Sequence, residues 1–458
     1  MKKRIILLIA ITLLSLFATV NVSAEDDIKV VINNKELYTE IKPLIVDGRT
    51  MVPVRAIGEA MGCEVVWVNA TRTVNMKNDS TIIAMQIDNK NITKVKRTTM
   101  EQKLLQTDVP PMIINNSTYI PVRAFAEALD AVVGWDQNTK TVMIVYDTTL
   151  KYAGDYVVET FAGNGERQKH DSSLNMMSFI SPEGITVSTN GDIVVADSGL
   201  IRKLSGGKSS TVEFEPSYIT ANTVKCCNDE VYILTNEFQN TDGIKYYGIV
   251  KLCDHGAEGL FVTEATYSKI SDMDISKDGT MYIIYYNAGV GQNYLAKLDL
   301  TNGNISYLKD IDAGIQTLTV DDNGNIFLGN TVKGSIYFYN VKDGTMKLFA
   351  GADEKTKFID GPNPMFFEPR QLDYYNGYLY VLDYNVLRRV SVNKENKAIS
   401  SETLAGKISL ENNPETINGK GSDVVFAPSY LMDIVVTEKG VLLTDPKNAV
   451  IRLIHNNP

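Results

Sequence analysis

The chain has 458 residues, 44% of them hydrophobic and 22% charged, with a formal net charge of −10. That length exceeds one compact core and predicts two or three domains, and the composition excludes collagen-like, low-complexity and disordered classes. An acidic balance of this size argues against nucleic acid as a partner and leaves basic polymers, cations and neutral glycans.

Residues 1–24 read as a secretory signal peptide. Lys2, Lys3 and Arg4 form a basic start, Ile5 to Val20 is apolar apart from Thr and Ser, and Val22-Ser23-Ala24 fits a small-residue cleavage site. The apolar run is short for a membrane span. No second such run follows, so a secreted chain without membrane insertion after cleavage is expected. Four cysteines, Cys63, Cys226, Cys227 and Cys253, are too few for a disulfide scaffold. Cys253 could bridge Cys226 or Cys227, although buried free thiols are the plainer reading.

A segment then occurs twice. Thr50-Met51-Val52-Pro53-Val54-Arg55-Ala56-Ile57-Gly58-Glu59-Ala60-Met61 aligns with Thr118-Tyr119-Ile120-Pro121-Val122-Arg123-Ala124-Phe125-Ala126-Glu127-Ala128-Leu129. The register holds through Trp67 and Trp135 to Thr71-Arg72-Thr73-Val74 and Thr139-Lys140-Thr141-Val142, which marks a repeated structural unit. Each copy predicts a strand, a helix and a strand pair. Pro53 and Pro121 suit a first helical turn, and Gly62 suits the position just past the helix end. Arg55 with Glu59, and Arg123 with Glu127, are i, i+4 pairs that support the helix locally.

The motifs Asp47-Gly48-Arg49-Thr50-Met51-Val52-Pro53-Val54-Arg55, Asp108-Val109-Pro110-Pro111 and Tyr119 through Leu129 resemble the copper amine oxidase N-terminal-like (stalk-type) domain over residues 28–147. The resemblance implies an accessory module outside the oxidase core. Copper is rejected as a cofactor, because copper needs imidazole ligands and this region has no histidine.

After a linker at 148–155, residues 156–458 change texture to short β runs divided by Gly, Asn and Asp. Six segments repeat an apolar run, an Asx/Gly turn and a second run, from Gly184–Val187 with Gly191–Val195 to Ile434–Val436 with Gly440–Leu443. Asn190-Gly191, Asp278-Gly279, Asn323-Gly324 and Asn376-Gly377 supply turn residues that tolerate φ > 0. A third run follows each pair. Six such units predict a six-bladed β-propeller. The fold class is therefore multidomain: a small α+β domain built of an internal repeat, then an all-β propeller.

Phe161-Ala162-Gly163-Asn164-Gly165, Pro182-Glu183-Gly184-Ile185, Val195-Ala196-Asp197-Ser198 and Ile201-Arg202-Lys203-Leu204 resemble an NHL repeat. Segments around Asp383 and Arg388, and around Asp445 and Arg452, match it too, whereas the middle three units do not. The resemblance implies either a binding propeller or an enzyme, since NHL-type and related six-bladed folds include lyases and hydrolases. The pairs Asp197 with Arg202, Asp383 with Arg388 and Asp445 with Arg452 read as structural ties between strands, because they recur at one position. His170, His255 and His455 are too scattered for a zinc site. Asp321-Asp322-Asn323-Gly324-Asn325 resembles a calcium loop without its bidentate Glu and reads as a hairpin turn.

No catalytic motif stands out, so no catalytic or metal residue is assigned and the binding residues are unknown. The expectation is a secreted, cell-wall-associated protein without enzymatic activity. Its propeller would bind a peptide, protein or glycan, with calcium the one cofactor left open. A channel hydrolase or lyase, and a structural wall-matrix component, are the alternatives.

Overall fold

The computed structural model describes residues 22–23, 28–213, 219–239, 245–253, 256–264, 268–352, 356–411 and 417–457. Residues 1–21 and 24–27 lie outside them. Two compact units divide the chain: 1–29 with 37–129, and 30–36 with 130–458.

In the first unit the two copies of the repeat pair with each other. Strands Arg49–Pro53 and Ser117–Pro121 run antiparallel, with Tyr119 opposite Pro53, Ile120 opposite Val52 and Pro121 opposite Met51. Equivalent residues of the two copies therefore exchange places about the Val52–Ile120 pair, a local twofold. Each strand passes directly into a helix, Val54–Ala60 or Val122–Ala128. Pro53 and Pro121 have extended backbones (φ −63, ψ 118 and φ −64, ψ 119) and are the residues before the helices. They end the strands rather than fill a first helical turn, because the fixed proline φ suits both states and only ψ decides. Gly62 follows the first helix with φ +74, as a C′ glycine does. Arg55 and Glu59 approach to 3.4 Å but are mostly exposed, so their pair adds little. Val46, Met51, Val109 and Tyr119 form a small core. The first copy's strand pair, Glu64–Val68 and Thr73–Lys77, continues into a sheet with Thr81–Gln86, Asn91–Lys96 and Gln102–Gln106.

The second unit takes in the other copy's strand pair, Val132–Asp136 and Thr141–Val145, which shares a sheet with Lys29–Ile32 and Lys35–Glu36. Val145 packs among Phe358, Phe367, Val386 and Leu410. A Cβ on Gly134 would stand 2.5 Å from that of Leu410, so the approach requires glycine. Residues 148–155 are bonded along their length: Lys151 N donates to Asp360 (2.9 Å) and the Tyr152 hydroxyl to the Gly406 carbonyl (2.8 Å).

Among the described residues, six antiparallel sheets follow in chain order. Their first strands are Pro182–Val187, Ile219–Cys227, Ser268–Ile275, Ile315–Val320, Pro369–Tyr375 and Ile434–Thr437. Each first strand lies against the next, and the last against the first. The sixth sheet is completed by Tyr156–Ala162, which pairs with Val450–Asn456. Cores of interlocking aliphatic and aromatic residues fill the spaces between neighbouring sheets, as Phe327, Phe338 and Phe366 do with Leu372, Leu379 and Val381.

The turns divide into two kinds. Asn376 and Gly377 both have positive φ, a two-residue hairpin of the primed type. At 188–192, 276–280 and 321–325 only the glycine is left-handed, and the asparagine or aspartate side chain caps backbone N–H groups of its own loop. Asp321 accepts from the main-chain N–H of Asn323 and Asn325 and from the Asn325 amide. The loop that resembled a calcium site is a self-capped hairpin turn.

The three Asp–Arg pairs are buried ion pairs in the first, fifth and sixth sheets. Arg202 meets Asp197 at 2.9 Å, Arg388 meets Asp383 at 2.9 Å, and Arg452 meets Asp445 at 3.2 Å. Each arginine also reaches the loop or strand before its sheet, through Asp171, Asp360 and Asn418 respectively. Arg388→Met strands two buried carboxylates, and breaking such a pair costs about 3–5 kcal/mol. Urea unfolding of this variant should show a loss of that order, whereas Arg55→Ala should stay within about 0.5 kcal/mol of the parent.

Candidate functional site

The first strands of the six sheets carry an alternating row of polar side chains, and these tie every seam. Between sheets one and two, Thr186 Oγ1 accepts from Cys226 N (3.3 Å). Lys225 Nζ reaches Asp274 at 3.6 Å between two and three. Asp272 and Asp274 accept from Leu318 N and Val320 N, both at 2.9 Å, between three and four. The Thr317 hydroxyl lies 3.3 Å from the Gln371 amide oxygen between four and five. Asp373 accepts from Val436 N (2.6 Å) between five and six, and Asp433 accepts from Ile185 N (3.0 Å) between six and one.

This arrangement gathers four carboxylates around one ammonium. Burial by itself lowers the affinity of Lys225 for its proton, but Asp274, Asp433, Asp272 and Asp373 reverse that and raise its pKa. Burial pushes Asp272 up to about 7, with Lys225 opposing it and the Asp433 charge adding to it. Asp373 is likewise pushed up to about 7 by burial, with the charges of Asp274 and Asp433 adding to it, and burial raises Asp433 too. Perturbed acids in a channel are what a catalytic site would display. Here each of the four also caps a main-chain N–H of the neighbouring sheet, so their geometry answers to closure of the ring.

A second concave site lies at the far end of the fifth and sixth first strands. The groove has a volume of about 540 Å³ and is walled by Tyr156, Tyr375 and Tyr380, with Asn376, Glu438, Lys439, His455 and Asn456 around it. Tyr375 and Glu438 to Gly440 come from the hairpin ends of their sheets, and Tyr156 and His455 from the paired strands that complete the sixth sheet. Arg389 stands 4.7 Å over the Tyr378 ring and 6.0 Å from that of Tyr156, and its Nε donates to Glu402 at 2.9 Å. Aromatic faces beside amide, ammonium and imidazole groups make a binding surface that is apolar in its walls and polar at its rim.

The residues weighed from sequence fall as follows. His170 is exposed and His455 half-buried; they lie on a loop and a strand apart in the chain, and His455 Nε2 faces Glu159 at 3.6 Å. His255 lies outside the described residues. All four cysteines are free. Cys226 and Cys227 are separated from Cys253 by the intervening strand Glu230–Gln239, about two strand spacings and beyond disulfide reach. Tyr285 is buried, whereas Tyr375, one member of the Tyr374-Tyr375 pair, reaches the groove. The channel acids were missed. Their signal was a single carboxylate inside an apolar run, as in Met273-Asp274-Ile275, Leu372-Asp373-Tyr374 and Met432-Asp433-Ile434.

The raised acids give a pH dependence of known sign. A carboxyl whose folded pKa is about 7, against 3.8 ordinarily, binds more protons folded than unfolded between those values. Stability therefore falls as pH rises from about 4 to about 7, by up to ~1.4 kcal/mol per pH unit for each group, and stays low above that. Asp272→Asn should flatten the fall while keeping an acceptor for Leu318 N. Urea midpoints for both proteins across this range measure it.

Comparison with known proteins places both parts of the chain. Residues 31–147 match the family model of the copper amine oxidase N-terminal domain, well under half of the chain. Among curated proteins none matches. An auxiliary nutrient binding protein from Bacteroides thetaiotaomicron is 16% identical with a TM-score of 0.52, covering 82% of this chain and 94% of that one. Its counterpart from Bacteroides ovatus is 14% identical with a TM-score of 0.50, covering 80% and 94%. A Bacteroides thetaiotaomicron protein of unknown function is 16% identical with a TM-score of 0.52, covering 85% and 99%. At these identities the likeness carries the fold alone: a mostly β chain in which a stretch matching that N-terminal domain precedes a β-propeller-like array.

Proposed function

We propose that this chain is an exported, envelope-associated binding protein without catalytic activity of its own. In this reading the six sheets are a six-bladed, NHL-like propeller, residues 1–24 are a cleaved leader, and the stretch at 31–147 anchors or spaces the propeller. The ligand is a glycan held in the tyrosine groove. The observation that carries the reading is the groove itself, where the half-buried Tyr156 and Tyr375 stand beside Asn376 and Asn456, with the buried Tyr380 also in its lining. Sugars pack their apolar faces on such rings and satisfy their hydroxyls at such rims. The binding role of the two nutrient binding proteins that share the fold agrees with it. So does the acidic net charge, which leaves neutral glycans among the partners. The channel is the weaker candidate, because its carboxylates are held by the seams they close.

The test is sedimentation of the full chain with purified cell-wall sacculi, followed by calorimetry with soluble glycan fragments. Tyr375→Ala should weaken retention and affinity by about tenfold, the equivalent of one lost aromatic contact of ~1.4 kcal/mol, without moving the Tm. Equal retention of both proteins, or none of the parent, would sink the reading.

A further inference from the structure

The chain contains six Asn-Gly steps, at Asn164, Asn190, Asn302, Asn323, Asn376 and Asn418. In such a step the glycine nitrogen can attack the asparagine side-chain amide carbon, because no Cβ on the glycine hinders the approach. A folded chain prevents this by fixing the two reacting groups. Four of the six side chains are fixed by hydrogen bonds. Asn164 is held by Glu166 and Ser178, Asn190 by Ser188 and Asp192, Asn302 by Asp299 and Asn304, and Asn418 by Thr160 and Arg452. At Asn323 the attacking nitrogen is held instead, since Gly324 N donates to the Asp321 carbonyl at 3.0 Å.

Asn376 differs at both groups. Its side-chain amide has no hydrogen-bond partner among the described residues, and it is exposed at the tip of the hairpin that joins Pro369–Tyr375 to Tyr378–Asp383. The Gly377 N–H meets no main-chain carbonyl among the described residues and is turned toward the Tyr374 phenol oxygen, a weaker acceptor than a carbonyl. Asn376 and Gly377 hold φ +49 and +81, and a hairpin tip opens more readily than the sheet it closes.

We infer that Asn376 is a site of spontaneous deamidation that turns the rim of the tyrosine groove from neutral to acidic. The Gly377 nitrogen gives up its proton and bonds to Asn376 Cγ. The Cγ–Nδ2 bond breaks, and Nδ2 leaves as ammonia with that proton. Water then opens the cyclic imide. Opening at Cγ gives aspartate in an unchanged chain. Opening at the main-chain carbonyl carbon gives isoaspartate, whose chain runs through Cγ. Water is the only co-reactant. Asn376 lines the groove together with Glu438, so the product replaces two N–H donors with a second negative charge on that rim. Isoaspartate also adds a methylene to the main chain of a turn that sets Tyr375 opposite Tyr378, which displaces Tyr375 from the groove wall. The conversion stands on the chemistry of the turn alone, and its effect on binding rests on the glycan reading.

The test is incubation of the full chain at body temperature and mildly alkaline pH in heavy-oxygen water, with peptide mass spectrometry of all six steps over time. The Asn376 peptide should take up one heavy oxygen, split into two products of equal mass, and convert several-fold faster than any other. A urea-unfolded sample, in which no side chain is held, should lose this ordering. Asn376→Gln, whose longer side chain must close a larger ring, should stop the conversion. An intact Asn376 in the folded chain, or earlier conversion at another step, would overturn the inference. Asn376→Asp should bind soluble glycan fragments several-fold more weakly than the parent, and equal affinity would overturn the effect on the groove. Conversion of a parent that binds no glycan would sink the groove reading and leave the deamidation standing.

Discussion

Closure of the ring depends on one recurring interaction: a side chain on one sheet's first strand bonds to the first strand of the next sheet. Sheet edges facing a channel would otherwise leave main-chain N–H groups without partners, and such groups are costly when buried. Aspartate is suited to this place because its short stem holds a strong acceptor close to the strand that bears it. The consequence is electrostatic. Four acids converge on a space with a single cation, and low dielectric makes their repulsion large. Lys225 offsets part of it, and proton uptake by Asp272 and Asp373 near neutrality offsets more. The acids that hold the sheets together are thus also the groups most exposed to a change of pH.

The remaining architecture follows from how the sheets are unequal. Among the described residues, the first, fifth and sixth carry an arginine buried between two acceptors, and the second, third and fourth lack it. Asn330 marks the difference: it ends the second strand of the fourth sheet, where the first, fifth and sixth sheets place aspartate, and bonds to Asp312 instead. The sheets with arginine knots flank the place where the beginning and end of the ring meet, so the strongest polar fastening sits at the joint that sequence separation makes hardest to form.

Much of this was legible in the chain. The repeat announced a strand and a helix in each copy, although the antiparallel pairing of those strands about Val52 and Ile120 came only with the structure. The Asx/Gly turns gave the hairpins, and the period-two runs between them gave the strands. The recurrence of Asp197, Asp383 and Asp445 with their arginines identified a structural device from spacing alone. The channel was not legible, since a lone Asp274 within an apolar run reads equally well as an exposed strand residue, and only the arrangement of six sheets brings it near Lys225. Proline placement failed for a local reason, because Pro53 and Pro121 fix φ but leave ψ to their neighbours.

The strand Tyr156–Ala162 finds its partner in Val450–Asn456, the last strand of the chain, and Arg452 reaches across the same pair to Thr160. A ribosome delivers the first of these long before the second. Throughout that interval the emerging ring carries an unpaired edge at each end, the type of surface that joins to other chains. The polypeptide cannot shed this hazard until residues 450–456 emerge. A shortened product would therefore be harmful less for what it lacks than for the open edge it retains.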